Sequence, residues 1–106
     1  MLESDYQKHV IDELNTRFPN CIVLKNDPRY KQGIPDLIVL FENKWAALEC
    51  KRSAREKHQA NQDWYVECMN QMSYASFIYP ENEEDVFNDL QFAFKPRRSA
   101  RSIKRI

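Results

Sequence analysis

"GIPDLIVLFENKWAALECK", residues 33–51, holds two apolar runs, 36–42 and 45–51, with the polar residues Glu42, Asn43 and Lys44 around the join. Each run has strand length and is mostly apolar, so the stretch predicts a β-hairpin. Three charges interrupt it: Asp36, Glu49 and Lys51. A turn centred on Asn43-Lys44 sets Asp36 opposite Lys51 and Ile38 opposite Glu49. Side chains alternate between faces, and cross-strand partners share a face. All three charges then lie on one side, at one end of the hairpin. Leu37, Val39 and Phe41 go to the other side with Ala46, Leu48 and Cys50. A three-residue loop would shift the register by one and undo this.

Two carboxylates close together in a partly buried site repel each other and resist leaving water. A divalent cation relieves both costs. Mg²⁺ is hard, prefers oxygen, and needs one or two protein carboxylates plus a substrate phosphate. Lys51 points to the same place, where it can orient a water, favour its hydroxide form or hold a phosphate. These parts suit metal-assisted hydrolysis of a phosphodiester. The alternative is structural: an Asp36–Lys51 ion pair, with Glu49 at a solvated strand end.

Outward from the hairpin, residues 3–18 predict a helix, with Tyr6, Val10, Leu14 and Phe18 repeating at i+4 beside Ile11. At about 100° per residue, Glu3 falls at the middle of that apolar face and Gln7 close by, while Glu13 lies at its edge. An inward acid is explained by a metal site on the adjoining sheet, or by a first turn that favours acids. A short strand follows at 21–25, then a polar loop at 26–33. After the hairpin come a basic connector, "RSAREKH" (52–58), and a helix at about 59–72 with Ala60, Trp64, Cys68 and Met72 on one stripe. Residues 74–79 predict a strand, and Pro80 opens a last helix through Leu90, with Glu81, Glu83 and Glu84 at its start. The order is α-β-β-β-α-β-α, an α/β arrangement of helices on a mixed sheet.

The 106 residues suit one small domain, and a second copy would bury more surface. No segment has the apolar length of a membrane span, and the start lacks a signal-peptide core, so no membrane association is expected. Cys21, Cys50 and Cys68 have neither disulfide nor zinc spacing and suit a reducing, cytoplasmic setting. The formal charge is zero but unevenly distributed. Residues 1–94 carry all sixteen acids against ten Lys/Arg, while the tail "KPRRSARSIKRI" (95–106) has six Lys/Arg and no acid. Such an arm suggests nucleic acid or is simply solvated.

Pro35-Asp36 followed by Glu49-Cys50-Lys51 reads as PD…EXK, with twelve residues between the acids. The chain therefore resembles the PD-(D/E)XK nuclease superfamily. "GIPDLIVL" and "ALECK" look especially like its small VRR-NUC and Holliday-junction-resolvase-like branch, over about residues 3–79. The arginine-rich motif that gives VRR-NUC its name is not obvious in this chain. The resemblance implies a restriction-endonuclease-like core, a four-stranded mixed sheet flanked by helices. Residues 1–94 would be the nuclease domain and 95–106 a basic tail. It implies Mg²⁺ or Mn²⁺ held by Asp36, Glu49 and the Cys50 carbonyl, with Lys51 as catalytic lysine. Glu3 best matches the family's first-helix acid, with Glu13 as fallback, and Gln62 its second-helix glutamine, with Gln59 as fallback. The activity implied is endonucleolytic cleavage of DNA leaving a 5′-phosphate and a 3′-hydroxyl, on branched DNA or Holliday junctions in repair or recombination. A homodimer would present two sites.

Basic residues cluster beside the hairpin's charged end: Lys25, Arg29 and Lys31 before it, and Arg52, Arg55 and Lys57 after it. With Arg97 and Arg98 of the tail, they are candidate phosphate contacts and predict salt-sensitive binding. No base-reading motif stands out, so strand ends or branches are the expected determinants. A non-catalytic nucleic-acid-binding module on the same fold is the competing expectation.

Overall fold

The computed structural model describes residues 2–95. In chain order the elements are α1 (Glu3–Arg17), β1 (Ile22–Lys25), β2 (Leu37–Phe41), β3 (Lys44–Cys50), α2 (Ala60–Met72), β4 (Tyr74–Ile78) and α3 (Glu83–Ala93). The strands form one mixed sheet in the order β1-β2-β3-β4. β2 pairs antiparallel with β1 and with β3, and β4 runs parallel to β3. A parallel pair needs a crossover, and α2 supplies it.

The hairpin forms, but its turn is tighter than expected. Phe41 pairs with Lys44, so Glu42 and Asn43 alone make the turn. Glu42 reaches it by adopting the left-handed conformation, φ 57°. Relative to a turn centred on Asn43-Lys44, every pairing shifts by two residues. Continued past Leu37–Leu48, the register puts Asp36 opposite Glu49 instead of Lys51. Because faces alternate with period two, the shift leaves all three charges on the expected side.

The main core lies between the sheet and the pair α1 and α3. Tyr6, Val10 and Leu14 meet Leu37, Val39, Ala46, Leu48, Cys50 and Ile78, with Val86, Phe87 and Leu90 closing it. The opposite face is covered by α2 through a smaller cluster: Val66 against Ala47 and Ala75, with Met69 and Phe77 alongside. The rotation of α2 differs from the stripe read in the sequence. Trp64 and Met72 are exposed, and the inward residues are Gln62, Val66 and Met69. Two alanines on the sheet admit Val66 closely, and bonds from Gln62 to the hairpin charges fix the helix phase.

α3 begins later than expected and runs further. The Asn82 carboxamide accepts from the Tyr79 N–H and donates to the Phe77 carbonyl, which holds 79–82 as a turn. The acids of the first helical turn are Glu83, Glu84 and Asp85. Beyond α3, Phe94 is buried edge-on to Phe18 and stacked on Phe41. No helix among the described residues is long and apolar enough to cross a membrane.

Candidate metal centre

The hairpin register brings Asp36 and Glu49 together. Just past the last Leu37–Leu48 pair, each carboxylate accepts a hydrogen bond from the other strand's backbone. Glu49 Oε1 accepts from the Asp36 N–H at 3.1 Å, and Asp36 Oδ2 accepts from the Cys50 N–H at 3.0 Å. The two side chains thus replace backbone acceptors and stitch the hairpin end.

Glu3 arrives on the first turn of α1. One carboxylate oxygen each from Glu3, Asp36 and Glu49 lie within 4.8 Å of one another. Gln7, one turn along α1, lies beside Asp36 and favours its charged form. Glu13 is elsewhere, paired with Arg17 at 2.9 Å. The acid that joins the cluster is thus the one that the helix phase aims inward. An all-oxygen, carboxylate-rich donor set fits Mg²⁺ or Mn²⁺. The Cys50 thiol points into the main core, and burial pushes its pKa well up, so only its backbone is available to the site.

Lys51 is almost wholly buried. Its N–H continues the parallel ladder to the Ile78 carbonyl. Its ammonium donates to Gln62 Oε1 at 2.9 Å and to the Lys57 carbonyl at 3.3 Å. Glu49 and Glu56 carboxylates lie 3.9 and 4.0 Å away. Gln62 serves both sides of the site, because its amide nitrogen donates to Glu49 Oε2 at 3.0 Å. Its carbonyl also accepts from the Gln59 N–H, half of a capping box that starts α2. Gln59 itself is the helix cap and makes no bond to Glu49 or Lys51 among the described residues.

Crowding of carboxylates shows in their proton affinities. Burial first, then the charges of Asp36 and Glu3, raise the Glu49 pKa to about 8. Burial and a hydrogen bond to Glu56 raise that of Glu3 to about 7. Desolvation raises Asp36 as well, while the Cys50 N–H and Lys51 oppose it. Glu56 shifts downward despite some burial, because it accepts from the Arg52 N–H at 2.6 Å, with Glu3 and Lys51 also favouring its charged form. Without a cation the site holds its acids partly protonated.

Sequence reasoning assigned no role to Glu56, which sits inside a connector read as strongly basic. The Arg52–Glu56 spacing of i+4 was the available signal. Here it forms a bond that folds the connector over Lys51. The connector is also pinned by Glu81, which accepts from the Ala54 N–H, and by His58 stacked on Phe77.

The expected phosphate contacts divide. Lys31, Arg55 and Lys57 are exposed and form no ion pair among the described residues. Arg29 is tied to Asp27 and Arg52 to Glu56. Lys25 is exposed at the end of β1, near enough to favour the Cys50 thiolate electrostatically. Arg97 and Arg98 lie outside the described residues. The larger cavities, about 370 and 400 Å³, lie elsewhere, around Phe41, Phe94 and Trp45. No protein-family profile, curated protein or solved structure matches the chain.

Proposed function

We propose that the protein is a metal-dependent phosphodiester hydrolase. Within that class, the PD…EXK resemblance makes it a small DNA endonuclease that leaves a 5′-phosphate and a 3′-hydroxyl. The observation that carries this is the convergence of Glu3, Asp36, Glu49, Lys51 and Gln62 at one end of the sheet. Glu3, Asp36, Glu49 and the Cys50 carbonyl would hold Mg²⁺ or Mn²⁺, which supplies Lewis-acid activation and charge neutralisation.

The chain's own groups account for the rest. Gln62 and the Lys57 carbonyl hold the Lys51 ammonium beside Glu49, where it can orient a water or meet a phosphate oxygen. Gln7 favours the charged form of Asp36. Lys31, Arg55 and Lys57 are free to contact flanking phosphates. Branched DNA such as a Holliday junction is the favoured substrate, since the described residues form no helix-turn-helix or zinc-finger head for reading a duplex groove. A homodimer would place two such sites on a symmetric junction. The free thiols fit a reducing cytoplasm.

The test is incubation with duplex, flap, nicked and four-way DNAs in Mg²⁺ and in Mn²⁺. Cleavage is expected, and Asp36→Asn should abolish it with the fold retained. Salt-sensitive binding without cleavage in either metal would instead select a non-catalytic nucleic-acid-binding module.

A further inference from the structure

A second, smaller recess opens beside Gln62. It measures about 230 Å³ and is lined by Pro28, Gln32, Gly33, Gln59, Asn61 and Gln62. Four of the six are carboxamides and none is charged. Pockets for drug-sized ligands run about 300–1,000 Å³, so this one suits a single flat ring system. Its wall is built closely. Gly33 has φ 94°, and a Cβ there would come within 2.6 Å of the Asn61 carboxamide. Asn61 also reaches the Gln32 carbonyl at 3.4 Å.

The lining decides the class of ligand. A phosphate would be met by cations, and the nearby cations Lys31 and Lys57 are not part of the lining. Carboxamides present a donor and an acceptor side by side, which matches the edge of a nucleobase. Pro28 offers an apolar surface and Gly33 a bare backbone for a ring to approach. Enzymes that act at or near unstacked bases read them through such edge contacts. Gln62 lines this recess and also bonds Glu49 and Lys51. A base seated here would belong to a nucleotide next to the phosphate at the metal centre.

Resting on the nuclease assignment above, we propose that this recess receives one unstacked nucleobase beside the cleaved phosphate, held by Asn61 and Gln59. The protein would thus recognise DNA whose bases can leave the stack, as at a branch point.

The probe is a four-way DNA junction, with single-stranded 20-mers alongside, each carrying one 2-aminopurine at a scanned position. Ca²⁺ replaces Mg²⁺ so that binding is read without cleavage. One position should brighten severalfold with the wild-type protein. Asn61→Ala should remove the brightening and weaken binding roughly tenfold, the scale of losing one base-edge contact. Asn61→Asp keeps the shape but alters the hydrogen-bonding edge, and should lose the signal as well. Folding of each variant is checked by circular dichroism, and Gln59→Ala serves where one fails. No brightening at any position, or brightening that survives these substitutions, overturns the proposal. Failure of the nuclease assignment registers separately, as no cleavage of the unlabelled junction in Mg²⁺.

Discussion

Substituting Glu49→Gln should flatten the pH dependence of stability in the metal-free protein. Glu49 is buried beside two other carboxyls, and its pKa rises from the ordinary 4.5 to about 8. A carboxyl with a raised folded-state pKa binds its proton more tightly folded than unfolded. Its stabilising contribution is fully present below the unfolded pKa and is lost as pH rises through about 8. Across that window the loss is on the order of 5 kcal/mol, at about 1.4 kcal/mol per pH unit where one proton is involved. Glu3, raised to about 7, and Asp36, also raised, act in the same direction.

Urea unfolding in EDTA from pH 5 to 8.5 should therefore show wild-type stability falling with pH, and Glu49→Gln falling much less. The comparison rests on slopes, because the amide introduced at this position must also find new partners around Gln62. Under the proposed function Mg²⁺ would bind the ionised carboxyls, so adding it should restore wild-type stability at alkaline pH and leave the variant unmoved. Wild-type stability that is flat or rising over this window, or an equal slope in the variant, would refute the account of the site as a destabilised acid cluster.

Other perturbations probe separate parts of the molecule. Gln62→Ala removes bonds to both Glu49 and Lys51, and single-turnover cleavage should slow about 10–100-fold, the range for a hydrogen bond to a charged group. Glu56→Gln removes the negative charge beside Glu3, so carbon-detected NMR should find the Glu3 pKa moved down from about 7, with burial still holding it above 4.5. Gly33→Ala puts a methyl against Asn61 at a left-handed backbone position, and thermal unfolding should show a loss of about 1–2 kcal/mol. Phe94→Ala empties the aromatic contact with Phe18 and Phe41 and should cost about 3–5 kcal/mol, read as a lower urea midpoint at unchanged slope.

The architecture was legible because its signals were periodic. Alternation in 36–51 specified the hairpin faces, and the i+4 repeat of Tyr6, Val10 and Leu14 both defined α1 and aimed Glu3 inward. Parity also protected the charged face from the misplaced turn, since a two-residue slip returns each side chain to the same side. The turn itself was harder to read: Glu42 has no glycine or asparagine identity to announce a positive φ. The phase of α2 was hidden because its inward positions mix one valine and one methionine with a glutamine. Trp64 and Met72 looked more apolar than the residues that pack, and polar bonds to Glu49 and Lys51 decided the rotation. Glu56 escaped because it was read with its basic neighbours, and it meets Glu3 and Lys51 only after the connector folds back.

Phe94 closes the domain at the end of the sheet away from Asp36. β2 separates Phe41 from that acid by roughly 16 Å of strand, and α1 separates Phe18 from Glu3 by about 22 Å. Lys95, where the described chain ends, therefore lies at the pole opposite the carboxylates. A surface linkage made there would orient every molecule with its acidic end outward. Under the proposed function, protein immobilised at that end should cleave long DNA as protein free in solution does.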